Sequence, residues 1–335
     1  MGITGPVSSL YVASLGANYV EIGLLGTVSS LTVIVFGFVW GQASDRLGGR
    51  KAVLVAGLAA MALINGLIAI APSYHYLFPL RALGAVAAVA YSTSSLALMG
   101  DLLEQRAGAR GRRMGIYRGL GSLGFGLMAF VSGSIADRLS LRAPFGLAAL
   151  FLLVAFSLSL MVREPRASPG IRPISSASAR TLLAVAWRGS VEALNSLVAV
   201  LRPGKERYGG GPGGAPRLPL TPLLVSAFLW SLVTGAVYAV WANYMVDELG
   251  FGQAAMSRLW ALASLSEFPL MIVAGWLSDR LGRLEVLCLG FLSWTLVFLG
   301  YVVVPWTPWI LLIQLTRGFA YSAYTAAAMT YATEV

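Results

Sequence analysis

One carboxylate lies inside a long apolar segment, where charged groups are rare. Glu267 occurs in the sequence LASLSEFPLMIVAG, eight residues before Gly275, which in a helix places it roughly 12 Å from the end of that segment. A carboxylate near the middle of a membrane has to be neutralised by a proton or by a neighbouring cation. Glu267 is therefore a candidate proton-coupling group. The alternative is a static charge pair, for example with Arg317, that only holds the helices together.

Two arginines also lie within apolar segments. Arg81 occurs in LFPLRALGAVAA, about two turns into its segment, and Arg317 occurs in QLTRGFAYSAY, nine residues into its own. Charged side chains inside a membrane are costly and usually face a cavity or a partner. We predict that Arg317 faces a cavity. For Arg81, a structural role near the membrane interface is an equal alternative.

Aromatic and hydroxyl residues repeat at helical spacing in three apolar segments. In the segment at 222–246 the steps between them are 4, 4 and 3, which places them on one face of a helix. Such faces could line an amphipathic cavity for an organic solute, although aromatic stripes more often pack in a core. The candidate cavity residues are Trp230, Thr234, Tyr238, Trp241, Tyr321, Tyr324 and Tyr91.

The elements that carry these residues are predicted to be membrane-spanning helices. Of 335 residues, 57% are hydrophobic and 11% are charged, whereas a soluble domain has about 25% charged residues. This composition excludes a soluble globular protein. A short apolar stretch at 3–17 is predicted to be the second half of a helix. The segments that are long enough to span lie at 20–41, 52–71, 76–101, 114–136, 143–162, 222–246, 253–277, 286–304 and 308–331.

The sequence contains few residues for other kinds of chemistry. One cysteine, Cys288, and one histidine, His75, are too few for a Cys/His metal cluster. No nucleophile with a base and no phosphate-binding glycine loop appears, so we expect no metal, no cofactor and no enzymatic activity. The net charge of +10 does not indicate nucleic acid as a partner, because the basic residues lie between apolar segments.

The basic residues also predict the orientation of the chain. Of 24 Lys and Arg, 19 lie in four alternate connections between the apolar segments. These connections are predicted to face the cytoplasm and the others to face outward. No cleavable secretory signal is expected, because no basic region follows Met1. The sequence thus predicts a multi-pass protein of the plasma or inner membrane, in contact with lipids.

The chain contains an internal repeat. Residues 15–48 and 249–282 align without gaps at an offset of 234, and 12 of the 34 positions are identical, where chance would give about two or three. The strongest similarity joins GQASDRLGGRK at 41–51 with GWLSDRLGRLE at 275–285. Two homologous halves are implied.

The two copies resemble the marker sequence of the major facilitator superfamily of secondary transporters, G-x-L-x-D-R-x-G-R-R between the second and third helices. The first copy has Ala43 and Gly49 where the family has Leu and its first Arg. The resemblance covers nearly the whole chain. The matching residues are Gly41, Asp45, Arg46, Gly48 and Arg50 in the first copy, and Gly275, Leu277, Asp279, Arg280, Gly282 and Arg283 in the second.

The resemblance implies an all-α integral membrane fold of two pseudo-symmetric helical bundles. The implied parts are an N-terminal six-helix bundle at 1–162 with a shortened first helix, a cytoplasmic central loop with an amphipathic helix at 163–221, and helices 7–10 at 222–335. The repeat offset predicts that about ten of the family's twelve membrane helices are present, without helices 11 and 12.

In this family the motif turns act as a conformational latch. Gly48 and Gly282 are expected in tight turns that need a positive φ. The carboxylates of Asp45 and Asp279 are expected to face helix N-termini of the opposite half. For Asp279 the implied partner lies at residues 115–118, and for Asp45 it lies on the absent helix 11.

The sequence therefore predicts a monomeric secondary transporter that moves a small organic solute by alternating access, with coupling to protons. Symport and antiport both remain open, although Met128 and Ala129 replace the Gly-Pro pair of the family's antiporter motif, which disfavours drug antiport. Two alternatives are a non-transporting membrane sensor or scaffold and an inert truncated product.

Overall fold

The computed structural model describes residues 2–46, 50–104, 110–162, 220–303 and 307–334, and within these ranges the chain is helical without any strand. A 3-10 turn, Tyr74–Tyr76, precedes α4, and a π-helical turn, Tyr244–Glu248, continues α7. The α-helices are α1 Ser8–Ser14, α2 Tyr19–Arg46, α3 Arg50–Ala69, α4 Leu77–Glu104, α5 Arg110–Arg138, α6 Ala143–Met161, α7 Leu220–Asn243, α8 Gln253–Leu281, α9 Arg283–Val303 and α10 Thr307–Glu334.

The long helices are membrane helices by length and composition. Eight of them, α2 to α9, contain stretches that are apolar and long enough to cross a bilayer. On α6, neighbouring side chains such as Leu150, Phe151, Leu153 and Val154 are all about half exposed, which suits a helix whose outer face contacts lipid tails. The predicted all-α membrane fold with about ten helices is confirmed.

The N-terminal bundle is built on α3, which packs against α4 and α6, while α2 packs against α4. The hydroxyl of Tyr11 on α1 donates to the carbonyl oxygen of Ile68 at 2.7 Å, and its ring lies 4.8 Å from that of Phe145. A Cβ atom at Gly57 would lie 3.0 Å from the backbone nitrogen of Tyr91. A side chain at this position would push α3 and α4 slightly apart, so the glycine favours their close approach.

The C-terminal bundle repeats this arrangement, with α10 packed against both α8 and α9. A Cβ atom at Gly290 on α9 would lie 3.0 Å from the backbone nitrogen of Tyr324 on α10. Gly16 and Gly250, which are 234 residues apart, both have positive φ, 92° and 70°. The turn before the second helix of each half therefore has the same backbone conformation, as expected for two homologous halves.

The two halves meet mainly where α5 packs against α8. We call the end at which α2, α4 and α8 finish the motif end, because the two D-R sequences lie there, and the other the distal end. Lys51, near the start of α3, donates a hydrogen bond from Nζ to the carbonyl oxygen of Leu160 at 2.7 Å. The C-terminal end of α6 therefore lies at the motif end as well. The boundaries 1–162, 163–221 and 222–335 remain predictions, since nearly all of the central segment and its predicted amphipathic helix lie outside the described residues.

Candidate functional site

A cavity of about 710 Å³ lies between α5 of the N-terminal half and α7 to α10 of the C-terminal half. This volume is in the usual range for small-molecule sites, about 300–1,000 Å³. On α5 it reaches residues 121–125 and on α8 it reaches residues 260–271. Six of the candidate residues predicted from the sequence lie on its wall: Glu267, Arg317, Trp230, Thr234, Tyr238 and Tyr321.

Arg317 on α10 lies against two aromatic rings that are themselves in contact. Its Cζ atom lies 4.8 Å from the ring centroid of Tyr238 on α7 and 4.6 Å from that of Trp260 on α8. Its Nη1 donates to Gln314 Oε1 at 3.2 Å, and Gln314 Nε2 reaches the Tyr301 hydroxyl at 2.9 Å. Cation–π contacts of this kind are stronger when the cation is shielded from water, and Arg317 is only 7% exposed. The guanidinium therefore ties α7, α8 and α10 together.

Glu267 lies on the wall of the same cavity, on α8. Its carboxylate interacts electrostatically with Arg317, and no hydrogen bond between the two side chains is present in the described structure. Its backbone carbonyl accepts a hydrogen bond from Ser322 Oγ of α10 at 3.1 Å. Glu267 thus lies beside an open space with a cation nearby.

Among the wall residues that the sequence analysis missed are two tryptophans, Trp260 on α8 and Trp294 on α9. Trp260 lies on the wall, with its ring edge-to-face against Tyr238 at 5.5 Å. Trp294 lies edge-to-face against both Trp230 and Tyr238, at 5.9 and 6.1 Å. A signal existed for Trp260, because Trp260, Ser264, Glu267 and Met271 are spaced by 4, 3 and 4 residues and share one helical face.

Three predicted cavity residues lie elsewhere. Trp241 is 2% exposed and packs in the core behind the cavity, edge-to-face with Trp260 and Tyr301. Tyr324 stacks on Trp230, with 4.2 Å between ring centroids, and is not among the residues of the cavity wall. Tyr91 packs against α3 within the N-terminal bundle. These three residues pack against other side chains and do not lie on the cavity wall.

Arg81 is not on the wall of this cavity, but it lines a neighbouring space of about 130 Å³ whose wall includes Tyr238 and Trp260. It donates a hydrogen bond to Ser8 Oγ on α1 and lines a second space of about 400 Å³ in the N-terminal half. Because α4 begins at Leu77, Arg81 lies about one turn into the helix rather than the predicted two. The contact with Ser8 agrees with the structural alternative, in which the arginine anchors a neighbouring helix near the distal end.

The motif turns are described in part. Gly282 ends α8 with φ of 109°, as predicted, and the Arg280 guanidinium lies 4.2 Å from the Trp276 ring centroid. In the first copy, Arg50 Nη1 donates to the carbonyl oxygen of Ala97 at 2.9 Å. Gly275, Leu277 and Arg283 lie in described helices. Gly48, and the side chains at Gly41, Asp45, Arg46 and Asp279, lie outside the described residues, so the latch contacts remain predictions.

The halves are joined tightly on the distal side of the cavity. The backbone nitrogen of Gly133 donates to Ser257 Oγ at 3.0 Å, and that of Ala254 donates to Asp137 Oδ2 at 3.0 Å. The Tyr19 hydroxyl donates to Asp247 Oδ2 at 3.2 Å, which joins α2 to the turn after α7. Toward the motif end, by contrast, a Cβ at Gly121 or Gly124 would touch nothing within 4 Å. The structure is therefore closed at the distal end.

The close contact of α5 with α8 requires a glycine at position 133, because a Cβ atom at Gly133 would overlap the carbonyl oxygen of Gln253 and the hydroxyl of Ser257. We expect Gly133→Ala to lower the free energy of unfolding by about 1–3 kcal/mol, the usual cost of an overpacked contact. Thermal unfolding of the purified chain in detergent measures this. Gly124→Ala on the same helix is the matched control and should leave the melting temperature unchanged or raise it. Equal melting temperatures for both variants would contradict the assignment of this contact.

The fold and the cavity together define a multi-pass membrane protein in which two helical bundles enclose a central site, the architecture of a solute carrier. The family model described as Major Facilitator Superfamily matches residues 1–335, and the chain belongs to this superfamily of membrane transporters.

Comparison with individual proteins agrees with this assignment. The chain is 24% identical to maltose permease of Geobacillus stearothermophilus over 99% of its length and 75% of that protein. It is 27% identical to the multi-drug resistance efflux pump PmrA of Streptococcus pneumoniae over 46% of its length, and it spans only 39% of PmrA. The nucleoside transporter NupG (D323A mutant) has a TM-score of 0.76 at 14% identity, covering 99% of this chain and 79% of NupG. This last likeness shows the fold.

Proposed function

We propose that the protein is a secondary transporter that moves a small organic solute across the membrane by alternating access. One observation carries the proposal: the cavity between the halves is closed at the distal end by α5 and α8, and it extends from there toward the motif end. A site that is reached from one end at a time is what alternating access requires. The alignment of a maltose permease with 99% of the chain supports solute transport.

The second part of the proposal is coupling to protons through Glu267. Its carboxylate lies on the cavity wall and interacts with the buried guanidinium of Arg317. Protonation of Glu267 would remove the negative charge that interacts with Arg317. Solute binding could then change the protonation equilibrium of Glu267. The solved D-xylose-proton symporter has a TM-score of 0.64 and 18% identity over 97% of this chain and 76% of the symporter, and its likeness in fold supports this part of the proposal.

We further propose that the motif end faces the cytoplasm, in agreement with the distribution of basic residues. The structure then corresponds to the inward-facing state. In the opposite state the motif end would close, with Asp279 against residues 115–118. Because α5 begins at Arg110, these residues lie more than one turn inside the helix and not at its positive end. A monomer is sufficient for this cycle, because each half of the gate lies in the same chain.

The competing function is a membrane sensor or scaffold that has the same fold and does not transport. Such a protein would keep one conformation or change it without solute flux. Uptake into vesicles with and without a pH gradient separates the two classes, because only a proton-coupled carrier accumulates solute when the gradient is applied.

A direct test of alternating access uses single cysteines placed at the two ends of the cavity, in a Cys288→Ser background. Gly121→Cys lies on the cavity wall, whereas Ser257→Cys lies in the closed α5–α8 contact. A membrane-impermeant thiol reagent should label Gly121→Cys rapidly from the motif-end side. It should label Ser257→Cys from the distal side about 10- to 1,000-fold more slowly, because a minor conformation is typically populated at 0.1–10%.

The control for this labelling is the same variant unfolded in denaturant, in which both cysteines should react equally fast. Complete lack of reaction at Ser257→Cys over hours, with rapid reaction at Gly121→Cys, would indicate a protein that does not alternate and would favour the sensor or scaffold.

A further inference from the structure

Arg81 on α4 is a cation inside the N-terminal bundle that lacks a counter-charge in the described part of the chain. It lines two spaces, one of about 130 Å³ and one of about 400 Å³. Gly5, Ser8 and Ser29 also line both, so the two spaces meet beside Arg81. Among the described residues, neither wall carries an Asp or a Glu. Because a charge inside a membrane normally has a partner of opposite charge, these spaces are candidates for an anionic ligand.

Most of the hydrogen-bonding capacity of Arg81 is unused. Within the described structure its guanidinium donates one hydrogen bond, from Nη2 to Ser8 Oγ. A guanidinium has five N–H groups, and two pairs of them lie side by side in the geometry that matches the two oxygen atoms of a carboxylate. One bond from Nη2 can occupy only one of these pairs. At least one pair therefore remains for a carboxylate.

The second half of the chain contains an acid that the first half lacks. In the second half, the intramembrane Arg317 interacts with the carboxylate of Glu267. Val33 lies 234 residues before Glu267, at the equivalent position of the repeat, and it is on the wall of the 400 Å³ space. The first half therefore has an apolar residue at the position of the acid. Within the described chain, a negative charge for Arg81 is left to a ligand.

The larger space beside Arg81 is suited to an apolar body. Its wall follows α3 from Met61 to Ile68 and α4 from Arg81 to Ala88, roughly 10 Å of each helix. Asn65 adds one amide group, whose Nδ2 donates to the carbonyl oxygen of Met61 at 2.8 Å. A cation beside a long apolar space favours an amphiphilic anion. The residues of the wall on α5 and α6 are apolar: Phe125, Phe145, Ala148 and Leu152.

We infer that the N-terminal bundle binds a single-chain carboxylic acid with an apolar body, its carboxylate on Arg81 and its chain along α3 and α4. The site is distinct from the cavity between the halves, since Phe125 is the one described residue common to the two walls. Binding there does not depend on the proposed transport. A phosphate dianion would keep one charge unpaired, because Arg81 is the one Lys or Arg among the described residues of either wall. An uncharged apolar ligand would leave the guanidinium unpaired.

Calorimetric titration of the purified chain in detergent with butanoate, hexanoate and octanoate tests the site. We expect the affinity to rise about threefold to fourfold with each added methylene, the gain from burying one CH₂ group. 1-Octanol and octylamine carry the chain without the negative charge, and chloride carries the charge without a chain. Each of these three should bind about tenfold or more weakly than octanoate. Titration into detergent alone is subtracted, because octyl chains also enter micelles.

Two pairs of variants locate the carboxylate. Arg81→Gln removes the cation and should weaken octanoate binding about tenfold to a hundredfold. Its control is Arg138→Gln, since Arg138 is exposed at the end of α5 and lies on neither wall. Ser29→Asp adds a carboxylate of the chain itself where the two spaces meet, so it should compete with the ligand and weaken binding about tenfold or more. Ser29→Asn, of the same size without the charge, should bind octanoate within about twofold of the parent chain.

Four results would overturn the inference: no binding of octanoate, an affinity that does not rise with chain length, octanol that binds as tightly as octanoate, or octanoate binding that the folded Arg81→Gln and Ser29→Asp variants keep. The melting temperature of each variant reports whether it is folded. If Arg81→Gln is not folded, the Ser29 pair decides the question with the arginine in place. The thiol labelling of Ser257→Cys tests alternating access alone, so an unreactive cysteine would leave the carboxylate site standing.

Discussion

Glu267→Gln is expected to abolish the accumulation of solute driven by a pH gradient and to leave counterflow exchange of the same solute. The amide keeps the volume of the carboxyl group and its ability to accept a hydrogen bond, but it cannot bind and release a proton at physiological pH. Exchange needs only the movement of loaded carrier, whereas accumulation needs the proton to move with each cycle. The two assays, made on the same proteoliposomes, therefore separate coupling from transport.

The size of this effect follows from the position of Glu267. It is the carboxylate on the cavity wall, and it interacts electrostatically with Arg317 on α10. Glu248→Gln is the matched control, because Glu248 is exposed at the end of the turn after α7, away from the cavity. This control should retain both accumulation and exchange. Full accumulation in a stable Glu267→Gln variant would eliminate Glu267 as the coupling group.

A structural role for Glu267 predicts another pattern. If the carboxylate only offsets the charge of Arg317, its loss leaves a buried cation without a counter-charge. Accumulation, exchange and thermal stability would then decline together. Measuring the melting temperature beside both transport assays distinguishes this outcome from the loss of coupling alone.

The helices were predictable from the sequence because their length and their lack of charge are local properties. The segment predicted at 253–277 is found as α8, Gln253–Leu281. It is four residues longer because no proline or glycine follows residue 277 before Gly282, which takes the positive φ that ends the helix. The repeat and the positive φ of Gly282 were predictable for the same reason, whereas the turn at Gly48 stays a prediction.

The wall of the cavity was only partly predictable, because it depends on how neighbouring helices pack. Trp230, Thr234 and Tyr238 lie on the cavity side of α7 as predicted, but the next residue of that face, Trp241, is buried in the core. One turn nearer the distal end the helices converge, and no periodicity within α7 contains this information. In an apolar membrane helix, the faces toward lipid, core and cavity all carry similar residues, which also explains why Trp294 was missed.

Arg317→Leu should have the second large effect, a loss of about 3 kcal/mol in the free energy of unfolding, because it breaks a buried network of contacts. Leucine also loses both cation–π contacts, with Tyr238 and Trp260, and it leaves Gln314 Oε1 without its donor. Unfolding of the purified chain by heat or denaturant measures the loss. Arg138→Leu is the control, because Arg138 is exposed at the end of α5, and its effect should stay within about 0.5 kcal/mol.

The double variant Glu267→Gln with Arg317→Leu decides how the two charges depend on each other. If Glu267 is neutral for part of the cycle, as a coupling group must be, Glu267→Gln alone costs little stability, and the double variant should be about as unstable as Arg317→Leu. If the two groups are a permanent pair, removing the carboxylate as well relieves the uncompensated charge and restores part of the loss, by about 1 kcal/mol or more. A restored double variant, together with an unstable Glu267→Gln, would therefore assign Glu267 to structure and remove it from the proton pathway.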